Sequence, residues 1–219
     1  FSKFTTDGKF KRVVAVHDAD TEPETQRLYA LVERTRTTDA GASLRCLHLE
    51  RLTEDSIFLD GYMTAEKDPA DEEITGATPF ANQSVNIVAD GLVHANETVG
   101  TFAGGGDITL DDNFSTTHIG KNYTSTLTTL TLPLVYNGQP YRGENITKVS
   151  ALVNLNLTQA LAIDGSDIDF RFSGQALDTS ITPFTGTKKV SISGISTDPS
   201  VELTVSLPLQ CTILALTTE

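Results

Sequence analysis

The most constraining feature of this sequence is a regular alternation of apolar and polar residues in short segments. In residues 149–157 every second residue is apolar, and the same pattern recurs in residues 201–207. Successive side chains of a β-strand point to opposite faces, so this period predicts strands with one buried face. Because Gly, Asn and Asp separate the segments, the sequence predicts an all-β fold with little room for helix.

Within the first 63 residues, the pattern of apolar residues predicts three successive antiparallel strands, at residues 10–16, 27–36 and 43–52. Apolar residues occur on both faces of these strands, a pattern typical of a sheet that is covered on both sides. We therefore expect residues 1–63 to form an antiparallel meander sandwiched between neighbours. We also expect the remainder of the chain to fold without them, because the strongest alternation lies further along.

Composition divides the rest of the chain into three parts. Residues 64–78 are polar and charged, and we interpret them as a linker. Residues 79–132 are predicted to form a small β-barrel-like unit that contains a hairpin turn at Asp90-Gly91. The run Gly104-Gly105-Gly106 is interpreted as a turn, since no helix start of the phosphate-binding type follows it. Residues 133–219 are predicted to form a β-sandwich-like unit.

The charge balance narrows the function classes. The chain has 219 residues, with 29 acidic and 16 basic ones, and a formal net charge of −13. Stable binding of nucleic acid or of an anionic membrane needs clustered Lys and Arg, which this balance argues against. Met63 is the only methionine, and the first residues do not resemble a signal peptide. We therefore expect the chain to be a fragment or a processed product.

The histidines and the acidic residues do not form a recognisable catalytic pattern. The four histidines, His17, His48, His94 and His118, have neither metal-ligand spacing nor an accompanying nucleophile motif. Residues 164–169 are acidic but lack the spacing of a calcium loop, so a tight turn is the preferred interpretation. Asp18, Asp20 and Glu22 are interpreted as a solvated loop. No catalytic, cofactor-binding or metal-binding residue is predicted, and no cofactor is expected.

The two cysteines and the Asn-x-Ser/Thr triplets are interpreted conservatively. Cys46 and Cys211 are each expected inside a strand as small buried residues, not as a disulfide framework or a metal site. Six triplets with the N-glycosylation pattern occur, more than chance predicts for this composition. They are Asn82, Asn96, Asn113, Asn122, Asn145 and Asn156.

Several segments occur in an order that resembles one family over essentially the whole chain. These segments are residues 4–10, 32–34, 49–52, 85–91, 106–110, 118–127, 146–149, 183–186 and 207–215. Their order and spacing resemble the C-terminal part of the tail nozzle proteins of short-tailed bacteriophages, also called tail tubular protein B or head-to-tail stabilisation proteins. The chain departs from the family in lacking the long N-terminal part and in having Gln210-Cys211 where a second proline is more common.

The resemblance implies a structural virion protein and no enzyme. It implies that residues 1–63 are the end of a propeller-like region, and that the chain is a subunit of a ring, usually a hexamer. The implied partners are copies of the chain, the portal adaptor protein, and tail fibres or spikes. The implied location is the virion tail, assembled in the bacterial host cytoplasm, where double-stranded DNA passes during ejection without stable binding. Six copies at −13 each would carry a charge of about −78, which leads to the hypothesis of an acidic, DNA-repelling channel.

Two other function classes stay open from the sequence. The Thr content, the glycosylation triplets and the acidic turns fit a secreted or surface carbohydrate-binding or adhesive β-sandwich. A glycosidase needs a pair of carboxylates whose separation cannot be read from sequence. The chain has no Trp for a sugar-binding platform, and we regard enzyme activity as the weaker hypothesis.

Overall fold

The computed structural model describes residues 6–18, 25–52, 57–130, 135–136, 139–140, 145–196 and 200–218. The fold is all-β and built of antiparallel sheets, which confirms the predicted fold class. The chain divides into two compact units, Phe1–Asn122 and Tyr123–Glu219. Within the described residues, no helix has the length and apolar character needed to cross a bilayer.

The first sheet of unit 1 is the predicted meander. It consists of β1 (Lys9–Asp18), β2 (Thr25–Thr37) and β3 (Ser43–Leu52), in that order across the sheet. A bulge between Phe10 and Arg12 inserts one extra residue into β1. This residue, Lys11, forms an ion pair with Glu33 on β2 at 2.9 Å. The three-stranded meander expected from sequence is therefore confirmed.

The second sheet of unit 1 carries its larger core. It is formed by β4 (Leu59–Ile74), β5 (Ser84–Ala89), β6 (Leu92–Thr98) and β7 (Ile108–Asn122), in the order β4-β7-β5-β6, and a 3₁₀ turn (Thr78–Phe80) follows β4. The predicted turn Asp90-Gly91 joins β5 to β6 with φ of 45° and 85°, as a two-residue hairpin loop requires. The core consists of Ile74, Ala77, Phe80, Val85, Ile87, Ala89, Val99, Ile108, Leu110, Phe114 and Ile119.

The expectation of a linker at residues 64–78 is corrected by the structure. Most of this segment is the second half of β4, which pairs with β7. As the edge strand of its sheet, β4 has only one neighbour and carries exposed charged side chains along this half, although Ile74 at its end is buried. Residues 79–132 are accordingly not a separate barrel-like unit: β5, β6 and β7 share an open sheet with β4.

Unit 2 contains the remaining strands. They are β8 (Ser125–Thr128), β9 (Val135–Tyr136), β10 (Gln139–Pro140), β11 (Ile146–Thr158), β12 (Ala162–Ile163), β13 (Ser166–Asp167), β14 (Phe184–Ser196), β15 (Glu202–Val205) and β16 (Ile213–Thr218). Two sheets, β14-β11-β16 and β13-β12-β15-β8, contribute to one hydrophobic core. The unit begins at Tyr123, before the expected boundary at 133, because β8 pairs with β15.

Residues 168–183 are irregular, although Ile168, Phe170 and Phe172 alternate with polar residues as in a strand. Phe170 is buried, but Phe172 is 59% exposed, so the apolar positions do not share one buried face. The segment is stabilised by hydrogen bonds between its own side chains and its own backbone. The Arg171 guanidinium donates to the carbonyls of Ala176 and Thr179. These local hydrogen bonds compete with the sheet ladder that periodicity alone predicts.

The first sheet is joined to β4 by a buried arginine. The Arg34 side chain is 8% exposed and lies between two carboxylates. Its Nε donates to Oε1 of Glu50 at 2.6 Å and its Nη2 donates to Oε2 at 2.9 Å. On the other side, Nη1 and Nη2 donate to the two oxygens of Asp60 at 3.1 and 2.9 Å. Both carboxylates are held in the two-pronged geometry that arginine favours.

Asp60 is charged in the folded protein. Burial raises the pKa of a carboxyl, but hydrogen bonds from Arg34, from the Asp7 N–H and from the Thr6 hydroxyl outweigh it and hold the pKa of Asp60 below its usual range. The stabilisation that Asp60 provides is therefore present above the pKa of the unfolded carboxyl. It is lost as the pH falls through the lower pKa of the folded state.

A second contact fixes the loop between β2 and β3. One oxygen of Asp39 accepts hydrogen bonds from the Asn82 amide and from the backbone N–H of Phe102, each at 2.7 Å. Its other oxygen accepts from the N–H of Ala103 at 2.9 Å. The Asn82 amide also donates to the carbonyl of Thr37. Contacts at Arg34 and Asp39 together hold the first sheet against the second.

Gly61, inside β4, and Gly76, just after its end, provide a matched test of the Arg34 contact. Both have positive φ, 61° at Gly61 and 85° at Gly76, but a Cβ at Gly61 would lie 2.6 Å from Nη2 of Arg34, whereas one at Gly76 meets nothing within 4 Å. Gly76→Ala should therefore lower the free energy of unfolding only by the backbone strain, about 1–2 kcal/mol. Gly61→Ala should lower it by about 1–3 kcal/mol more, because the added Cβ also displaces Arg34. Urea unfolding of each variant measures both losses. Equal losses for the two variants would contradict tight packing of Arg34 on β4.

Candidate interaction surface

One face of the first sheet is basic and apolar at the same time. Directly paired residues share a face, and the register places Arg12, Leu31 and Leu49 in one row and Val14, Tyr29 and Arg51 in the next. We call this surface the cationic face. Its members are Lys9, Lys11, Arg12, Val14, Val16, Arg27, Tyr29, Leu31, Glu33, Arg45, Leu47, Leu49 and Arg51.

The apolar residues of the cationic face are exposed to an unusual degree. Leu49 is 72% exposed, Leu47 61% and Val14 55%. Single exposed leucines are normal on a protein surface, but a contiguous apolar patch rimmed by charges marks an interaction site. The cationic face therefore has the composition of a docking surface.

The opposite face of the sheet contains the buried arginine, and we call it the Arg34 face. Its centre is closed, since Ala30 and Val32 are almost completely buried. Its periphery is open: Val13 is 57% exposed and Leu44 52%. The expectation of a sheet sandwiched between neighbours is therefore not met within the described residues, because large apolar side chains are exposed on both faces.

Charge is segregated between the two sheets of unit 1. Strands β1–β3 contain eight of the 16 Lys and Arg residues of the chain but only three acidic residues. The cationic face has six basic side chains and one acidic one, Glu33. A hydrogen bond from Lys11 lowers the pKa of Glu33, and the charges of Arg45 and Lys9 lower it further. The first sheet is thus a basic patch on an acidic chain.

The acidic counterpart lies at the far end of the second sheet. There the edge strand β4 pairs with the start of β7, and both carry exposed carboxylates. We call this surface the acidic tip. Its members are Glu66, Asp68, Asp71, Glu72, Glu73, Asp111 and Asp112, with Lys67 as the one basic residue. Lys67 forms a long ion pair with Asp71, at 3.8 Å.

The histidines considered in the sequence lie on different strands. His17 is in β1, His48 in β3, His94 in β6 and His118 in β7. His118 shares a hydrogen bond with the Thr64 hydroxyl at 2.9 Å, and His94 packs edge-on against Phe114 at 5.2 Å between ring centroids. Burial and the charge of Arg36 lower the pKa of His48. The structure does not bring these rings together into one site.

The acidic segment at residues 164–169 begins with a tight turn, as predicted. Asp164 and Gly165 have positive φ and join β12 to β13. The Asp164 carboxylate accepts hydrogen bonds from Lys148 Nζ at 2.7 Å and from the backbone N–H of Glu202 at 2.9 Å. Asp18 ends β1, and Asp20 and Glu22 lie outside the described residues. In the part of the chain that the structure describes, no three His, Cys, Asp or Glu side chains are grouped as metal ligands.

The two thiols are free and half-buried. Cys46 lies in β3 as expected, but Cys211 precedes β16 and is not inside a strand. Burial raises the pKa of Cys211, which makes it a weak nucleophile.

The glycosylation triplets differ in their surroundings. The Asn82 amide donates to Thr37 and Asp39, and the Asn156 side-chain oxygen accepts a hydrogen bond from Thr185. Asn96, Asn113, Asn122 and Asn145 are exposed. The Asn82 and Asn156 side chains are therefore engaged in tertiary hydrogen bonds.

The sequence does not reveal the cationic face directly. Its basic residues are scattered over residues 9–51 and become neighbours only through the pairing register and the bulge at Lys11. The signal that could have found it is the local charge: the first 52 residues carry more than half of the Lys and Arg of an acidic chain.

A scan against protein-family models and a search of curated proteins both return no match for this chain.

A substitution in the cationic face tests its exposure. Leu49→Asn should change the free energy of unfolding by no more than about 0.5 kcal/mol, because the side chain is already in solvent. It should reduce the fluorescence of the dye ANS, which binds contiguous apolar surface. Leu177→Asn is the control, since Leu177 is 82% exposed but lies outside the face. Unchanged dye fluorescence for Leu49→Asn, or a loss of several kcal/mol, would contradict an exposed apolar face.

Proposed function

We propose that the chain is a structural subunit of a multi-subunit particle, of the tail nozzle type that its segment order resembles. The observation that carries the proposal is the first sheet, whose large apolar side chains are exposed on both faces. A three-stranded sheet has marginal stability by itself, and exposed apolar patches invite association. A subunit that is covered by neighbours in an assembly has a reason to keep such a sheet, whereas a freely soluble module does not.

The proposed role is mechanical. In the nozzle, copies of the chain would form a ring that is part of the DNA ejection channel, with the portal adaptor protein and tail fibres or spikes as further partners. The overall charge of −13 supports passage of DNA without stable binding, because each Lys or Arg that meets phosphate adds salt-dependent affinity. The basic first sheet would then have to be turned away from the channel or covered by a neighbour.

The location of the chain in virus particles tests this function. Particles of the phage whose genome encodes the chain should contain it at a fixed copy number by quantitative mass spectrometry. Antibody against the chain should label the tail end of the particles in electron micrographs. Absence from purified particles would overturn the proposal, and so would glycan mass on Asn96 or Asn113 of a secreted form or saturable sugar binding, each of which the adhesive-module hypothesis predicts.

A further inference from the structure

We infer that the cationic face docks onto the acidic tip of a second copy of the same chain. The inference rests on the proposed function, because it names the contact through which the subunits would associate. Both surfaces belong to unit 1, and they are complementary: six basic side chains on one and seven carboxylates on the other, each with a single residue of the opposite sign.

The two surfaces do not cover each other within one copy. Arg45 and Arg51 of the cationic face are exposed, and so are Asp71 and Glu72 of the acidic tip. The ion pairs described for the two surfaces are internal to each of them, Lys11 with Glu33 and Lys67 with Asp71. A second copy can therefore supply the acidic partner.

The exposed apolar side chains of the cationic face favour a protein over a nucleic acid as its binding partner. A phosphate backbone would neutralise the basic side chains but would leave Leu47, Leu49 and Val14 in water. The acidic tip offers Pro69 and Ala70, both exposed among its carboxylates. A contact with the tip therefore pairs the charges and covers part of the apolar surface at the same time.

The chemistry of the acidic tip favours contact through side chains over strand addition. An unpaired strand edge can extend a neighbouring sheet, and natural proteins block this with charges and proline on the edge. The edge strand β4 carries Pro69 and five carboxylates along this half. Its contact with the first sheet of another copy is therefore expected to be electrostatic and sensitive to salt.

The geometry makes the contact head-to-tail. Different surfaces of two identical copies meet, so each copy still offers one free surface of each kind, and the assembly grows until a ring closes. The flat area of three strands about nine residues long is about 400 Å². That is about half of what each partner buries in a stable interface, so one contact is weak and ring closure is needed for stability.

Charge reversal in the full chain tests the inference. Sedimentation equilibrium is measured from 1 to 100 µM chain in 50 mM and 500 mM NaCl. The face variant carries Arg45→Glu and Arg51→Glu, and the tip variant carries Asp71→Lys and Glu72→Lys. The control for charge carries Asp167→Lys and Asp178→Lys, two exposed residues of unit 2. All four target side chains of the two variants are exposed, and thermal unfolding followed by circular dichroism confirms that each variant is folded.

The expected result has three parts. The wild type and the control should associate in 50 mM salt and much less in 500 mM salt. Each single-surface variant should associate at least tenfold more weakly than the wild type. An equimolar mixture of the two variants should associate more strongly than either variant alone, because the unchanged face meets the unchanged tip and the reversed face meets the reversed tip. For the same reason the variant with all four substitutions should associate again. If a reversal unfolds the chain, Arg45→Gln with Arg51→Gln removes the charge at similar size and should also weaken association.

Three results would overturn the inference in distinguishable ways. Association of both single-surface variants at wild-type strength would place the subunit contact elsewhere and leave the structural role intact. A wild type that stays monomeric at 100 µM in 50 mM salt would exclude a second copy as the occupant, and the presence of the chain in particles would decide the structural role independently. Binding of a 20-base-pair DNA duplex to the cationic face in 150 mM salt would make the occupant a nucleic acid.

Discussion

The architecture of unit 1 depends on one buried ion network. Arg34 lies between Glu50 of its own sheet and Asp60 of β4, and together with the Asp39 contacts it holds the first sheet to the second. A buried charge is stable only while it is paired, so removal of one partner of such a network costs about 3–5 kcal/mol. The network therefore holds the start of β4 against the Arg34 face of the first sheet. On the cationic face, Leu47 and Leu49 stay more than half exposed.

This arrangement separates opposite charges along one unit. The net charge of −13 describes the chain as a whole but hides a basic, apolar sheet in unit 1 and a cluster of carboxylates on two other strands of the same unit. A molecule that exposes two complementary surfaces tends to associate head-to-tail. In the proposed ring, this contact would let subunits attract one another although the chain as a whole is acidic.

Local chemistry explains which parts of the fold the sequence predicts. The strands β1–β3 and the turns at Asp90-Gly91 and Asp164-Gly165 follow from alternation and from residues that tolerate positive φ. The composition of the second half of β4 predicts a linker, because an edge strand exposes charged side chains and needs few apolar residues. The alternation of Ile168, Phe170 and Phe172 does not produce a strand, because hydrogen bonds of Arg171 replace the ladder that periodicity favours. The cationic face cannot be predicted from the sequence alone, because the pairing register brings together Arg12, Leu49 and other residues that are distant in sequence.

The central claim is that neighbours cover the first sheet in the assembled particle. Hydroxyl-radical footprinting with mass spectrometry measures this coverage directly at Leu47 and Leu49, with the isolated Leu177 as an internal reference. In dilute chain all three side chains should be oxidised readily, because all are more than half exposed. In the assembled particle, Leu47 and Leu49 should become protected relative to Leu177. Equal oxidation of Leu47 and Leu49 in the dilute chain and in the particle would show that the sheet stays open, and would contradict the claim.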